Sequence, residues 1–113
     1  MESEEHHPLR LLAIVPSFNE GEMVGRVVRD IKRQDPPWDV LVVDDGSVDD
    51  TVARAEAEGG MVIRHPFNLG IGGAMQSGYK FAMRNGYDVA VQVDGDGQHK
   101  AEYLPQLLSL IHI

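Results

Sequence analysis

The 113-residue chain has no cysteine, which excludes a disulfide framework and a thiolate zinc site, so nothing points to a secreted scaffold. Basic residues are also few: 10 Lys and Arg stand against 18 Asp and Glu, for a net charge of -8. Nucleic acid and anionic membranes are bound through basic patches, so neither is expected as the main partner, although a polyanion can still bind through a metal. No apolar run approaches the length of a membrane span, and Met1-Glu2-Ser3-Glu4-Glu5-His6-His7 lacks the apolar core of a signal peptide. These absences point to a cytoplasmic setting, with residues 1–8 a disordered polar tail that keeps His6 and His7 solvated.

Three ligand motifs are each begun and not completed. Asp94-Gly95-Asp96 opens like a calcium loop, but the sixth and twelfth positions hold His99 and Pro105 where a glycine and a bidentate glutamate are needed. Gly70-Ile71-Gly72-Gly73 opens like a dinucleotide fingerprint, but Met75 stands in place of the third glycine. A P-loop starting at Gly73 would need lysine where Tyr79 stands. These glycines are better read as close helix packing, or as backbone that lets a ligand approach.

What is present is an ordinary globular composition, 42% hydrophobic and 25% charged, in a chain long enough for one domain. Unbroken apolar runs predict strands near residues 10–15, 39–43, 61–64 and 89–93, with Pro16 breaking the first. Between them lie helical patterns. Asn19 is read as the cap of a helix striped by Met23, Val24, Val27, Val28 and Ile31, and Ser47 with Asp50 as the cap of a helix over about 49–58. Ile71, Ala74, Met75, Gly78 and Ala82 recur at helical spacing up to about Arg84, and residues 102–111 form a last apolar-periodic segment. Alternating strands and helices, with each strand apolar throughout, predict an α/β fold: a mostly parallel sheet covered on both faces, with the first and fourth strands central and adjacent.

The fourth strand runs straight into Asp94-Gly95-Asp96-Gly97-Gln98-His99. In extended backbone, residues two apart point the same way, so Asp94 and Asp96 aim their carboxylates at one point with Gln98 next in the series. Two carboxylates and an amide suit a hard cation such as Mg²⁺ or Mn²⁺ that keeps positions open for phosphates; the competing reading is an ordinary Asp-Gly turn. Open parallel sheets bind ligands beyond the carboxyl ends of their strands, where the strand order reverses. Three strands end there in polar clusters, at Pro16 to Glu20, Asp44 to Ser47 and Asp94 to His99, with helix N-termini alongside to favour a phosphate. Pattern alone therefore gives an acidic, metal-holding rim for a nucleoside diphosphate.

The succession V-P-S-F-N-E, V-V-D-D-G-S-x-D-x-T, N-x-G-x-G-G-A and D-G-D-G-Q-H resembles the family 2 inverting glycosyltransferases of GT-A fold, a Rossmann-like nucleotide-sugar-binding architecture. The resemblance is nearest to the branch that includes dolichol-phosphate and polyprenyl-phosphate mannosyl- and glucosyltransferases, and it runs from Leu9 to about Leu107. It implies that Pro16, Phe18 and Glu20 line a nucleoside pocket, with Phe18 where an aromatic is usual. It also implies that Asp44 or Asp45 meets the base or ribose, and that Asp94 and Asp96, beside Gln98, form a catalytic D-x-D pair holding Mg²⁺ or Mn²⁺ against the donor diphosphate. His99 has no assigned role. The donor implied is a UDP- or GDP-sugar, the acceptor a polyprenyl phosphate or a glycan, and the full-length protein is expected to sit peripherally at the cytoplasmic face of a membrane. A nucleotidyltransferase would carry a basic Gly-rich loop where Pro16-Ser17-Phe18-Asn19-Glu20 stands, whereas a catalytically silent nucleotide-sugar-binding module stays open as the alternative.

Members of this family continue well past the last motif. Residues 9–113 are therefore expected to be the N-terminal part of such a domain, without its acceptor half and general base. Leu108-Ser109-Leu110-Ile111-His112-Ile113 is similar to a translated sequencing adapter, so native sequence is expected to end near Leu107 or Leu108.

Overall fold

A computed structural model describes residues 9–95 together with Ala101 and Leu104. Seven elements follow in order: β1 (Leu11–Ser17), α1 (Gly21–Lys32), β2 (Asp39–Asp44), α2 (Thr51–Ala57), β3 (Met61–Arg64), α3 (Gly70–Arg84) and β4 (Val89–Gln92). The strands form one sheet in the order β3-β2-β1-β4, with every pairing parallel. As expected, β1 is interior and adjacent to β4. Among the described residues β4 is an edge strand rather than a central one, because no described strand pairs with its other flank. The motif residues 96–100, the expected segment at 102–111 apart from Leu104, and the tail at 1–8 lie outside the described residues.

Alternation along the strands sorts the core into two layers. Leu11, Ala13 and Val15 of β1 pack with Val40 and Val42 of β2 against Val24, Val27, Val28 and Ile31 of α1 and Ala55 of α2. Leu12, Ile14, Leu41 and Val43 point the other way, against Ala74, Met75 and Ala82 of α3. Small residues bring α3 close to the sheet. A Cβ on Gly78 would stand 2.5 Å from Ile14 Cγ2, so that position accepts only glycine without movement. Among the described residues nothing lies within 4 Å of a Cβ built on Gly70 or Gly72 at the start of α3. Among the described residues no helix is long and apolar enough to cross a membrane.

Three local expectations are corrected. Pro16 does not end β1, which runs on to Ser17. Ile14 O accepts from Val93 N and Ser17 O from Asp45 N, so backbone groups of even-numbered β1 residues face β4 and those of odd-numbered ones face β2. The donor that Pro16 lacks therefore faces the β4 side, past the last paired residue Gln92, where no ladder bond is lost. Asn19 does not cap α1: it sits at φ 52 and its Oδ1 accepts from Val48 N. Nor does Ser47 cap α2, because its Oγ accepts from Asn19 N. The N-cap positions are Glu20 and Asp50, neither with a side-chain cap bond, and Asp49, outside both helices, accepts from the first amide of each: Gly21 N on Oδ2 at 3.1 Å and Thr51 N on Oδ1 at 3.0 Å. Propensity ranks Asn, Ser and Asp together as caps, and the meeting of two loops decided among them.

Candidate functional site

The strand order runs outward from β1 in one direction through β2 and β3, then returns to β4 on its other side. The carboxyl ends of β1 and β4 thus flank the point of reversal, where a crevice is expected. A cleft of about 280 Å³ opens there, lined by Pro16, Phe18, Glu20, Ile71, Asp94 and Gly95. A second hollow of about 220 Å³ shares Pro16, Phe18 and Ile71 with it and adds Ser17, Asp45, Asn68, Gly70 and Ala74. Phe18 is 45% exposed and Ile71 is 61% exposed, so two apolar side chains stand open at the shared mouth. Ile71 was expected on the buried stripe of α3; it sits one residue past Gly70, where the helix has only begun and projects beyond the sheet edge. Its exposure at an otherwise buried spacing is the signal of a site-lining residue that periodicity alone passes over.

The aspartate pair at the end of β2 divides between the two faces of the sheet. Asp44 follows Val40 and Val42 toward α1 and α2, lies fully buried, and receives Ser47 N on Oδ2 at 3.2 Å. Its Oδ1 has no hydrogen-bond partner among the described residues, and the same holds for the buried hydroxyl of Ser17, its register partner on β1. A buried acceptor left without a donor costs about 1–3 kcal/mol, and native structures keep few of them without cause.

Asp45 turns to the α3 side and is fully engaged. Oδ1 faces His65 Nδ1 at 2.8 Å and accepts from Leu69 N at 2.9 Å, while Oδ2 accepts from Gly70 N at 2.8 Å. Burial alone would raise its pKa, but the His65 contact and the two amides outweigh that and hold the carboxyl below the ordinary range. Asp49 is held low mainly by the Thr51 hydroxyl, with burial working weakly against it and Gly21 N assisting.

These carboxylates also change what the helix N-termini can do. The first amides of α1 and α2 are taken by Asp49 and those of α3 by Asp45 and Asn68. At each of these helix starts one amide of the field expected for a phosphate is thus met by an aspartate of the chain itself.

Asp94 is half-buried on the cleft, and its Oδ1 accepts from Gln92 Nε2 at 3.2 Å. Among the described residues no three His, Cys, Asp or Glu side chains gather as a metal cage. Asp96, Gln98 and His99 lie outside the described residues. The cleft thus brings Pro16, Phe18, Glu20 and Asp94 together, and leaves Asp44 and Asp45 on opposite sides of the sheet end.

A family profile described as "Glycosyl transferase family 2" matches residues 12–112. The undecaprenyl-phosphate mannosyltransferase of Micrococcus luteus is 37% identical over 108 residues, which cover 91% of this chain and 44% of that protein. The chain therefore spans less than half the length of this curated relative. Among solved structures, S. aureus TarS 1-349 in complex with UDP-GlcNAc aligns with a TM-score of 0.76 at 25% identity, over 91% of this chain and 31% of that one. Mannosyltransferase PcManGT from Pyrobaculum calidifontis, in complex with GDP-Man and Mn²⁺, aligns with a TM-score of 0.68 at 23% identity, over 80% of this chain and 28% of that one. The parallel sheet between helical layers is the GT-A arrangement expected from the sequence.

Proposed function

Because the chain belongs to glycosyl transferase family 2, we propose that it is the donor-binding part of a metal-dependent transferase that moves a mannose- or glucose-type hexose from a UDP- or GDP-sugar to a polyprenyl phosphate or glycan. The observation that carries this reading is the cleft at the strand reversal, where Pro16, Phe18, Glu20 and Asp94 share one wall system. Phe18 offers an exposed ring on which a base can stack, and Glu20 offers acceptors for a ribose.

Of the two aspartates ending β2, Asp44 is the one that keeps an acceptor unfilled. Asp45 spends both oxygens on the protein but lines the second hollow, whereas Asp44 Oδ1 has no partner among the described residues and is fully buried, outside both hollows. Base or ribose recognition stays assigned to this pair, Asp44 or Asp45, with Asp45 also supporting the loop.

The donor chemistry near Asp94 fits Mg²⁺ or Mn²⁺, hard ions that take one or two carboxylates and complete their shell with water and phosphate oxygens. Asp94, with Asp96 and Gln98 after it, would hold the ion, which when bound neutralises charge developing on the departing diphosphate. Glu20 and Phe18 orient the donor, and the apolar mouth at Phe18 and Ile71 sheds water. The lipid-phosphate acceptor is suggested by the Micrococcus luteus relative. Such a phosphate is already anionic at neutral pH, so it asks less of a general base than a sugar hydroxyl does.

Calorimetric titration with UDP and GDP, with and without Mn²⁺, tests the reading. Binding should require the metal, and Asp94→Asn and Asp96→Asn should each weaken it by about 10-fold or more, the equivalent of about 1.4 kcal/mol. Asp30→Asn, in the middle of α1, is the control and should change nothing. Metal-independent binding, or an Asp96→Asn variant equal to the parent, would remove the D-x-D assignment. Transfer of labelled sugar to polyprenyl phosphate by a longer chain separates an enzyme from a silent binding module.

A further inference from the structure

Behind the hollow lies a chain of three polar side chains that the donor reading leaves unused. His65, at the end of β3, is buried, and its backbone N–H donates to Asp44 O at 2.8 Å. Its ring lies between Asp45 Oδ1, 2.8 Å from Nδ1, and Ser77 Oγ, 2.9 Å from Nε2. Ser77 belongs to the second turn of α3. The order carboxylate, imidazole, hydroxyl is that of a nucleophilic relay, but the surroundings do not suit one. Ser77 sits inside a helix whose amides are bonded to its own carbonyls, so no pair of N–H groups is left to hold an oxyanion.

We propose that His65 is a positioning residue for the donor site: by clamping Asp45 it fixes the backbone of Leu69 and Gly70, and so the Asn68 and Gly70 wall of the second hollow and the Ile71 side chain that this hollow shares with the donor cleft. The inference rests on the donor-binding reading of that cleft. An ionised carboxylate is an acceptor only, so Nδ1 carries a proton toward Asp45, while Nε2 meets the Ser77 hydroxyl, a group able to donate or accept. Asp45 then receives three donors on two oxygens. The two amides belong to the segment being held and move with it. His65, pinned to β2 by its own N–H and to α3 through Ser77, supplies the fixed point. Without it, the Asp45 backbone stays on the sheet through its N–H to Ser17 O, but the Asp45 carboxylate keeps only the two loop amides, so nothing on the sheet side fixes its orientation or, through it, the start of α3.

Two substitutions separate this role from plain packing. In His65→Asn the side-chain amide nitrogen falls near the Nδ1 position and still donates to Asp45; in His65→Gln it falls near Nε2 and reaches Ser77 instead. Backbone ¹⁵N resonances of Leu69 and Gly70, recorded on the chain without ligand, read the clamp directly, and ¹⁵N shifts of the wild-type imidazole read its tautomer. Titration of the same proteins with UDP and GDP in the presence of Mn²⁺ reads the consequence. The expected result is an Nδ1–H ring, Asn that keeps both amide resonances and nucleotide affinity within about 3-fold, and Gln that shifts both and loses about 10-fold, as removal of a charge-assisted hydrogen bond would. Equal losses in the two variants, unshifted amides in His65→Gln, or a neutral ring protonated on Nε2 would overturn the proposal. If the wild-type chain binds neither nucleotide with Mn²⁺, the donor reading is what fails, and the amide resonances alone decide whether His65 holds the loop.

Discussion

Gly95 passes so close to Ser17 that a Cβ on it would stand 2.5 Å from the serine Oγ and 3.0 Å from the carbonyl oxygen of Pro16. The segment carrying Asp94 can cross the end of β1 only because residue 95 has no side chain. Two motifs read separately in the sequence, V-P-S-F-N-E and D-G-D-G-Q-H, are here one contact.

Gly95→Ala should therefore displace the Asp94 segment. The Ser17 hydroxyl can rotate, but the Pro16 carbonyl is fixed backbone, and overpacking of this kind costs about 1–3 kcal/mol. Metal-dependent nucleotide binding should fall by about 10-fold or more. Adding Ser17→Ala should recover only part of the loss, because the Pro16 contact remains. A Gly95→Ala protein that binds as tightly as the parent would show that the segment has room to spare.

Acid should loosen the start of α3. Asp45 has a folded-state pKa below its ordinary 3.8, so the stability it lends is complete above about 3.8 and is lost as pH falls through the lower folded value. Hydrogen exchange at the Leu69 and Gly70 amides, followed from pH 5 to pH 2, should lose protection in that lower window. Asp45→Asn should already be unprotected at pH 5 and show less of the transition. Protection that is the same in both proteins would mean that other bonds hold these amides.

Asp49→Ala removes one side chain and the acceptors of two first-turn amides, Gly21 N in α1 and Thr51 N in α2. Thermal unfolding should shift down by about 4 °C or more, while Asp49→Asn, which keeps the acceptor, should recover most of it. Ser47→Ala should matter less to the helices, since its hydroxyl serves Asn19 N instead. If Ser47→Ala proves the more damaging of the two, the Asp49 assignment is wrong.

The strands, their parallel pairing and their order of appearance follow from the sequence, because runs such as Leu11 to Val15 and Val40 to Val43 are apolar on both faces and only a doubly covered sheet buries them. The clustering of Pro16, Phe18, Glu20 and Asp94 follows too, since in a parallel sheet the loops after the strands share an edge. Local pattern could not decide which of several equivalent polar residues takes which partner. Asn19, Ser47, Asp49 and Asp50 are all able caps, and the choice of Asp49 depends on two loops meeting across 28 residues of chain. Asp44 and Asp45 are identical side chains one position apart. Only the alternation at the end of β2, with α3 and His65 on one side and buried Ser17 on the other, leaves one with every acceptor filled and the other with an acceptor to spare. Hydrophobic periodicity is a property of a segment and can be read along the chain; hydrogen-bond partnership is a property of pairs brought together from afar, and only the tertiary structure makes the pairs.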